Sequence, residues 1–332
     1  MSARPTIYDV AQLAGVSTAT VSRALNGTGQ IAPATRVAIA AAVAKLGYRP
    51  NTIARSLVTK STETIAFLLP DITNPFYAEL VAGIQEYALA HDHTMLLCTT
   101  EGNAEREEQY LELLRSKQVD GALVDGLVLP PDRIARFVKD GFPIVCLDRD
   151  IAAKSIPVVQ VDNRLGGRLA TDYLLGLGHR HIAHVTGAKA LQISQDRLAG
   201  FRDAQTDPGL RLIVEGDFTE AGGYEATRDL IGSGVDFTAV FAANDLSALG
   251  VITALVESGR RVPQDVSVVG FDDLRLSAYT SPPLTTIRQP AFEIAQRATE
   301  ILIDLTRGKR IRKLRHLLPP ELVVRRSAVR RP

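Results

Sequence analysis

The spacing of hydrophobic residues changes twice along the chain. Up to about residue 50, apolar positions recur at helical intervals, beginning with IYDVAQLA at residues 7–14. From about residue 62, short apolar runs such as TIAFLLP and GALVDG alternate with longer helical segments such as FYAELVAGIQEYALAH. Between these regions lies a polar, weakly basic stretch, NTIARSLVTKST. The pattern predicts a small helical head, a short connecting segment and a large α/β body.

The head is predicted to contain three helices. Thr6 can cap the first helix, Asp9 is favourably placed in its first turn, and Ser17 can cap the second helix, TATVSRAL. Pro33 suits the first turn of the third helix, which should end at Gly47.

The first two helices carry the spacing of a helix–turn–helix. That motif needs a small residue where the helices cross, a glycine in the turn and an apolar residue that locks the second helix. Ala11, Gly15 and Val21 stand at those positions. The second helix is polar on one side and fits a major groove, with its N-terminal residues at base edges. Its polar side consists of Thr18, Ala19, Ser22 and Arg23.

Charge and side-chain chemistry indicate a DNA partner for the head. Arg23 is the best candidate for reading a base, because a guanidinium can bond bidentately to guanine. The hydroxyls of Ser17 and Thr20 suit phosphate contacts, which position a protein without specifying sequence. Residues 1–60 hold seven Lys or Arg and one acid, a net charge of +6, although the whole chain carries +1. A basic head on a mildly acidic body predicts a polyanionic partner.

Composition narrows the class of protein. Hydrophobic residues make up 45% and charged residues 23%, the balance of a soluble globular protein. No run of about 18 apolar residues predicts a membrane span, and MSARPTIYDV has no secretory signal pattern. Cys98 and Cys146 lie in apolar, strand-like runs, as the reduced thiols of a cytosolic protein do. We therefore expect a cytoplasmic protein with no membrane partner.

The body contains two sets of strand-like runs separated by helical segments. The first set is TIAFLLP, TMLLCTT, GALVDG and PIVCLD; the second is IAHVTG, LRLIVEGDF, AVFAAND and VSVVGFDD. This alternation predicts two sub-domains built on parallel, doubly wound sheets, with a cleft between them. The C-terminal segment LLPPELVV is predicted to be one final crossover strand. Ligands of such folds bind at the carboxyl ends of the strands.

Polar residues gather at those predicted strand ends. They are Asp71, Asp125, Asp148, Asp245 and Asp272, with Arg197 in a loop. Carboxylates and a guanidinium suit the hydroxyl groups of a sugar or a carboxylated polyol, and Phe76 and Phe218 can supply apolar walls. Each Asp can instead cap the helix that follows its strand, because Asp is a favoured N-cap.

An enzyme and a secreted sugar receptor are the competing classes. His179, His181 and His184 invite a metal site, but no fourth ligand is nearby, and turn and strand histidines explain them better. The sequence has no GxSxG, Walker or HExxH motif, and the adjacent Asp272 and Asp273 should point apart. The basic head argues against a secreted receptor. We expect neither enzymatic activity nor a cofactor or metal.

Taken together, these motifs resemble the lactose/galactose repressor family of bacterial transcription regulators. The resemblance begins with TIYDVAQLAGVSTATVSRALNG and LGYRPNTIARSL, and continues with DITNPFYAELVAGI, VDNRLGGRLAT, VFAANDLSALG, VPQDVSVVGFDD and LPPELVVRRS. It covers residues 6 to about 327. It implies a helix–turn–helix domain at 1–50, a hinge helix or linker at 51–61 and a periplasmic-binding-protein-like core at 62–329. The core would comprise one sub-domain of about 62–161 and 291–318, and another of about 162–290 and 319–329.

The resemblance also implies site residues. In the head it adds Tyr8, Asn26 and Tyr48 as phosphate contacts, and in the body it adds Asn244 and Gln289 as cleft residues. The full predicted set of effector contacts is Asp71, Phe76, Asp125, Asp148, Arg197, Phe218, Asn244, Asp245, Asp272 and Gln289. Asp125 stands where the family more commonly has a small or neutral residue, so it is interpreted as a contact that reflects the identity of the ligand.

The linker is interpreted as a switch. A helix of about two turns, with Ile53, Ala54 and Leu57 on one face, is marginal alone in water. Paired across a dimer, it could enter a minor groove, where Leu57 would wedge between base steps. Arg55 and Ser56 would meet the backbone or the groove edges. The resemblance implies the same role and a central C–G step in the operator.

The sequence therefore predicts a repressor of carbohydrate-metabolism genes that binds a palindromic operator as a dimer. The basic C-terminal stretch lacks leucine heptads, and a two-fold dimer matches a palindrome. A sugar-like effector between the sub-domains would shift their orientation and thereby the affinity for the operator. A nucleobase effector stays open, and the sequence does not distinguish an inducer from a corepressor.

Overall fold

The computed structural model of the chain describes residues 5–25, 29–48, 61–116, 119–126, 128–148 and 155–331. The chain divides into two compact units, one up to Thr62 and one from Glu63 onward. Each unit has a buried apolar core of its own.

The first unit contains the three predicted helices. They are α1 Ile7–Ala14, α2 Thr18–Leu25 and α3 Pro33–Leu46. The carboxylate of Asp9 accepts hydrogen bonds from the backbone N–H of Thr6 at 2.7 Å and from its hydroxyl at 2.8 Å, which holds the start of α1. The core is formed by Val10, Ala11, Val21, Ile39 and Ala42.

The second unit alternates strands and helices. From residue 64 to residue 161 the order is β1 Thr64–Leu69, α4 Phe76–Ala90, β2 Thr94–Thr99, α5 Ala104–Ser116, β3 Gly121–Asp125, α6 Pro131–Lys139, β4 Ile144–Leu147 and β5 Val158–Val161. From residue 163 onward it is α7 Asn163–Gly176, β6 Ile182–Thr186, α8 Gln192–Ala204, β7 Arg211–Glu215, α9 Glu220–Gly232, β8 Ala239–Ala242, α10 Asp245–Glu257, β9 Ser267–Asp272, β10 Thr285–Arg288, α11 Ala291–Thr306, β11 Arg315–Leu318 and β12 Glu321–Val323.

The strands form two sheets of six. The first sheet has the order β11–β5–β4–β3–β1–β2, and its pairs are parallel. The second has the order β12–β10–β9–β8–β6–β7, also parallel except for the antiparallel pair of β10 and β12. Parallel sheets need helical crossovers, which cover their faces. The carboxyl ends of the parallel strands therefore share one edge of each sheet.

The described chain passes between the two sheets at residues 161–163, 288–291 and 318–321. The last passage corrects the prediction that LLPPELVV is one strand. Pro319 and Pro320 have no backbone N–H to donate to a ladder, so they separate β11 in the first sheet from β12 in the second. None of the described helices is long and apolar enough to cross a membrane.

Candidate nucleic-acid interface and effector site

The turn between α1 and α2 has helix–turn–helix geometry. Gly15 adopts a left-handed φ of 66°, a conformation that costs little only for glycine, and the N–H of Val16 bonds back to the carbonyl of Ala11 at 3.0 Å. Ser17 starts α2 by accepting a hydrogen bond from the N–H of Thr20 at 3.2 Å. Ala11 and Val21 are buried where the two helices meet. These contacts set the angle at which α2 presents its polar side.

The predicted DNA-contacting side chains of α2 lie partly or wholly at the surface. Ser17, Ala19 and Arg23 are exposed, whereas Thr18, Thr20 and Ser22 are half-buried. The Nε of Arg23 donates to the carbonyl of Ala19 at 3.3 Å, so the guanidinium lies along the helix.

The tyrosines predicted to contact phosphate differ in exposure. Tyr8 is 73% exposed, whereas Tyr48 is half-buried against the core of the head. The other predicted contacts, Asn26 and the linker residues Ala54, Arg55, Ser56 and Leu57, lie outside the described residues.

In the second unit, the chain brings most of the predicted effector residues to the carboxyl ends of the strands. Asp125 ends β3 and Asp272 ends β9, while Asp148 directly follows β4. Asn244, Gln289 and Phe218 come from the segments after β8, β10 and β7. The strand topology therefore gathers these residues at the carboxyl edges of the sheets, as predicted from the sequence.

Arg197 lies at the centre of this group. It projects from helix α8, which corrects the prediction that it lies in a loop. Its side chain is 2% exposed and places the guanidinium 3.6 Å from the centroid of the Phe271 ring. Its Nε donates to Oδ1 of Asn163 at 2.8 Å, and an Nη donates to the carbonyl of Ala243 at 2.6 Å. A carboxylate oxygen of Asp272 lies 3.9 Å away. A buried guanidinium held by so many partners is a rigid donor for a ligand.

Three of the predicted effector residues have a buried polar atom with no hydrogen-bond partner among the described residues. They are Oδ2 of Asp125, Oδ1 of Asp148 and Oε1 of Gln289. A buried acceptor without a donor costs about 1–3 kcal/mol, so native proteins rarely keep one without a use for it. An amide oxygen and an ionised carboxylate accept hydrogen bonds, and a protonated carboxyl can also donate one, so these atoms suit a ligand whose groups both donate and accept.

Burial governs the protonation of the carboxyl groups. It raises the pKa of Asp272 to about 8, against the opposing attraction of Arg197. It also raises the pKa of Asp125 well above the usual range, and the neighbouring charge of Asp148 adds to that effect. The pKa of Asp148 is raised by burial too, although Arg197 counteracts it. Without a ligand, these groups therefore retain protons more readily than exposed carboxyls do.

The backbone is strained at the same place. Asp148, Phe218 and Asp272 have left-handed φ values of 50°, 72° and 116°. Such values are unfavourable for residues with a Cβ and are found most often at functional sites. The strain therefore coincides with the unpaired acceptors.

Asn244 and Asp245 are engaged inside the protein. Oδ1 of Asn244 caps α10 by accepting from the N–H of Ser247 at 2.9 Å, and its Nδ2 donates to the carbonyl of Phe218 at 2.9 Å. The oxygens of Asp245 accept from the N–H of Leu274 and from two hydroxyls. These bonds favour a role in positioning the neighbouring loops.

Asp71 differs from the buried group in its exposure. It is exposed, and its carboxylate accepts from the N–H and hydroxyl of Thr73 at 2.8 Å. The next turn carries Phe76, which is buried and packs edge-on against Tyr77 with 5.5 Å between ring centroids.

Three residues of this group were not predicted from the sequence: Tyr77, Asn163 and Phe271. Burial raises the pKa of the Tyr77 hydroxyl well above its usual range, and the charges of Asp125, Asp148 and Asp272 add to the shift, so this ring stands beside the carboxyls. Asn163 and Phe271 hold Arg197. Tyr77 follows Phe76 within an ordinary helical pattern, and only Asn163, directly after a strand, carried a readable signal.

Two of the three histidines are bonded inside the protein, and no group of residues that could hold a metal ion occurs among the described residues. His184 is fully buried, stacks on Phe241 with 4.4 Å between centroids and bonds to its carbonyl; burial lowers its pKa to about 4. His179 bonds to the hydroxyl of Thr238 and the carbonyl of Val329.

A cavity of about 470 Å³ adjoins the group and reaches Asp272 and Gln289. Its other walls include Glu79, Pro290 and Pro319, so it lies beside two of the three passages between the sheets. A cavity of this size can admit a small molecule.

A helix–turn–helix unit followed by two doubly wound sheets, with a polar group at their carboxyl ends, defines a DNA-binding regulator with the body of a ligand receptor. Residues 6–51 match the sequence profile of bacterial regulatory proteins of the lacI family, and residues 171–328 match that of the periplasmic binding protein-like domain. The chain belongs to the lacI family and is a DNA-binding transcriptional regulator.

Two relatives of this chain are named as repressors. The HTH-type transcriptional repressor PurR of Photobacterium profundum is 37% identical over 97% of this chain and 98% of its own. The ribose operon repressor of Escherichia coli (strain K12) is 38% identical over 97% of this chain and 99% of its own.

Solved structures match the whole chain or its body. The lac repressor dimer bound to operator and the anti-inducer ONPF has a TM-score of 0.89 at 31% identity, over 98% of this chain and 100% of that one. A lacI-family regulator from Enterococcus faecium with bound ribose has a TM-score of 0.74 at 32% identity, over 81% and 100%. The predicted fold class and family are confirmed.

Proposed function

We propose that the protein represses genes of carbohydrate metabolism by binding a palindromic operator as a dimer, under the control of a small sugar-like effector. The observation that carries the effector class is the set of unpaired buried acceptors on Asp125, Asp148 and Gln289. Sugar hydroxyls supply the missing donors and can also accept from the guanidinium of Arg197. Phe76 and Phe218 would cover the apolar faces of the ring.

A nucleobase is the competing effector, because one relative is the repressor PurR. A purine offers few N–H donors, all in one plane, and two large faces that need aromatic stacking. Buried carboxyl groups, two of them on Asp148 and Asp272 beside the guanidinium of Arg197, fit a polyol better. The ribose operon repressor and the ribose-bound regulator among the relatives support the sugar.

The roles of the predicted residues differ within this proposal. Asp125, Asp148, Arg197, Asp272 and Gln289 bond to the effector. Asp71, on its exposed loop, closes the site. Asn244 and Asp245 hold the loops in place.

The exposed edge strand of the first sheet supports a homodimer. Parallel strands are normally covered on both faces, but Leu96 and Leu97 of β2 are 44% and 37% exposed. Leu89, at the end of α4, is exposed as well. Apolar edges left open invite pairing with another chain. We propose that a second copy of this chain packs against this edge; the similar lac repressor structure is a dimer.

The dimer would place two α2 helices in successive major grooves of the operator. Arg23 reads a base, and Tyr8, Ser17, Thr20, Asn26 and Tyr48 contact phosphates. The segment from Ala54 to Leu57 would enter the minor groove at a central C–G step. In this proposal the protein acts in the bacterial cytoplasm and has no catalytic function.

The three passages between the sheets provide a hinge for control. An effector that bonds to groups from both sheets favours one relative orientation of the sheets by its difference in affinity for the two states. Because binding free energies are reciprocal, the operator must change the affinity for the effector by the same factor.

Calorimetric titration of the full-length protein with D-ribose, other monosaccharides and hypoxanthine tests the effector class. We expect a sugar to bind and Asp148→Asn to weaken its binding about tenfold or more, the loss for a hydrogen bond to a charged group. Asp132→Asn, an exposed acid on α6, serves as the matched control. Binding of hypoxanthine and of no sugar would contradict the proposal.

Footprinting around the gene tests the operator. We expect a palindromic protected site, and Arg23→Ala should lose about 1–3 kcal/mol of discrimination at one base pair in each half-site. Equal weakening on all sequences would mean that Arg23 contacts phosphate only.

A further inference from the structure

A second cavity, of about 520 Å³, lies at the opposite edge of the second sheet from the effector residues. Its walls come from residues that precede the strands: His179 before β6, 236–238 before β8 and 263–266 before β9. The effector residues follow the other ends of the same strands. Since β9 has six residues, about 20 Å of strand separates the two places. The cavity is therefore distinct from the effector site.

The C-terminal segment forms a fixed wall of this cavity. The N–H of Arg331 donates to the carbonyl of Leu177 at 2.8 Å. The N–H of Val329 donates to the hydroxyl of Ser267 at 3.1 Å, and the carbonyl of Val329 lies 3.1 Å from Nε2 of His179. These backbone bonds hold Arg330 and Arg331 at the cavity.

Positive charge dominates the lining. Arg260, Arg330 and Arg331 all line the cavity, and none of them forms an ion pair with a carboxylate in the part of the chain that the structure describes. The guanidinium of Arg260 is held over the ring of Phe237, 4.7 Å from its centroid.

Two carboxylates, those of Asp236 and Asp265, line the cavity beside these three arginines. Asp265 lines the cavity, but its carboxylate is taken up by Arg261, which donates to it from the backbone, from Nε and from an Nη at 2.7–2.9 Å. Asp236 is the remaining acid of the lining, so three guanidinium groups face one carboxylate that Arg261 does not neutralise.

We propose that this cavity is a second small-molecule site, which binds a phosphorylated metabolite through its phosphate monoester. Guanidinium groups match phosphate oxygens with paired N–H donors, and arginines that form no ion pair with a carboxylate can each form such charge-assisted bonds. The volume lies in the range of about 300–1,000 Å³ typical of sites for small ligands. Thr238 and Gln264 line the same space and offer polar contacts to the rest of the ligand.

Titration of the full-length protein with D-glucose 6-phosphate and with inorganic phosphate, at constant ionic strength, tests this site. Arg330→Gln/Arg331→Gln is the test variant, because both side chains are exposed and should not affect folding. Arg136→Gln/Arg310→Gln removes two exposed arginines elsewhere and is the matched control. We expect saturable binding that weakens at least about tenfold in the test variant and stays unchanged in the control. Binding of the sugar phosphate but not of inorganic phosphate would identify an ester as the ligand, and binding of both would identify the phosphate group alone as sufficient.

Two results would overturn the proposal. One is the absence of saturable binding to the wild-type protein by either compound. The other is an equal loss of affinity in both double variants, which would reflect general charge attraction. Thermal unfolding of the test variant at the wild-type temperature shows that its fold is intact. D-glucose, which lacks the phosphate, should not compete for this site.

Discussion

Two regions at the carboxyl edge of the second sheet bury aspartates in opposite surroundings. Around Asp245, the carboxylate accepts from the N–H of Leu274 at 2.8 Å and from the hydroxyls of Ser277 at 2.6 Å and Thr286 at 2.5 Å. Around Asp272, one amide donor from Gln289 lies at 2.7 Å and Arg197 stays 3.9 Å away. Burial raises the pKa of Asp245 to about 6 and that of Asp272 to about 8.

The difference distinguishes a region held by internal hydrogen bonds from the region that we propose binds the effector. Three donors offset most of the cost of burying Asp245, and a Cβ on Gly270 would collide with its Oδ1, so the backbone is shaped around it. Around Asp272, acceptors on Asp125, Asp148 and Gln289 stay unpaired. Unmet hydrogen-bonding capacity supports a binding role for the predicted effector residues, although His184 and Ser247 also have an unpaired buried atom among the described residues.

The largest effect should come from Asp245→Ala. The substitution leaves one N–H and two hydroxyls buried without an acceptor, each at a cost of about 1–3 kcal/mol. We expect the free energy of unfolding to fall by at least about 3 kcal/mol, as measured by urea denaturation. Asp229→Ala, an exposed acid on α9, should change it by less than about 0.5 kcal/mol. A small loss for Asp245→Ala would remove the distinction between the two regions.

The next largest effect should be a fall in the free energy of unfolding as the pH rises. The folded protein holds a proton on Asp272 up to about pH 8, whereas the group's ordinary pKa is 3.8. The folded state therefore binds more protons in this range, and the free energy of unfolding falls as pH rises. Asp125 acts in the same direction. His184, with its pKa lowered from 6.5 to about 4, acts in the opposite direction below pH 6.5.

Between pH 6.5 and 8, the change in the free energy of unfolding with pH therefore reports on the buried carboxyl groups and not on His184. There, Asp272→Asn should reduce the downward slope of stability by up to about 1.4 kcal/mol per pH unit, the value for one proton. Denaturant melts at several pH values measure this slope for the wild type and the variant. Identical slopes would mean that Asp272 is already ionised in the folded protein.

The smallest effect on stability should come from Asp125→Asn. The amide oxygen of the new asparagine can still accept a hydrogen bond from the N–H of Gly126. The other oxygen of Asp125, Oδ2, accepts no hydrogen bond from the described residues that the substitution would remove. At pH 7 the free energy of unfolding should change by less than about 1 kcal/mol. Titration with the sugar identified for the wild type should nevertheless show an affinity at least about tenfold lower. Unchanged affinity would leave Asp125 without a role in binding.

The head could be read from the sequence because its determinants are local. The glycine turn at Gly15, the cap at Ser17 and the crossing residues Ala11 and Val21 lie within about three helical turns of one another. Their spacing alone predicted the helices and the side that α2 presents.

The body was predictable in outline, because alternating strands and helices leave few arrangements open. Strand ends pointed to most of the proposed effector residues, whereas Tyr77, Asn163 and Phe271 were not predicted because their contacts are made across the fold. The segment LLPPELVV was interpreted as one strand, since its apolar pattern is continuous and only pairing partners reveal the break at Pro319 and Pro320.

By itself, the sequence determined the class of protein, the helix–turn–helix and the edge of the sheets at which we propose that a ligand binds. Those features follow from local spacing and from the shared direction of parallel strands. Only the tertiary structure decided that Asp245 is satisfied while Asp125 and Asp148 are not, and that Arg260, Arg330 and Arg331 share one cavity. The number of donors around a buried oxygen depends on residues far away in the chain, which no local pattern contains.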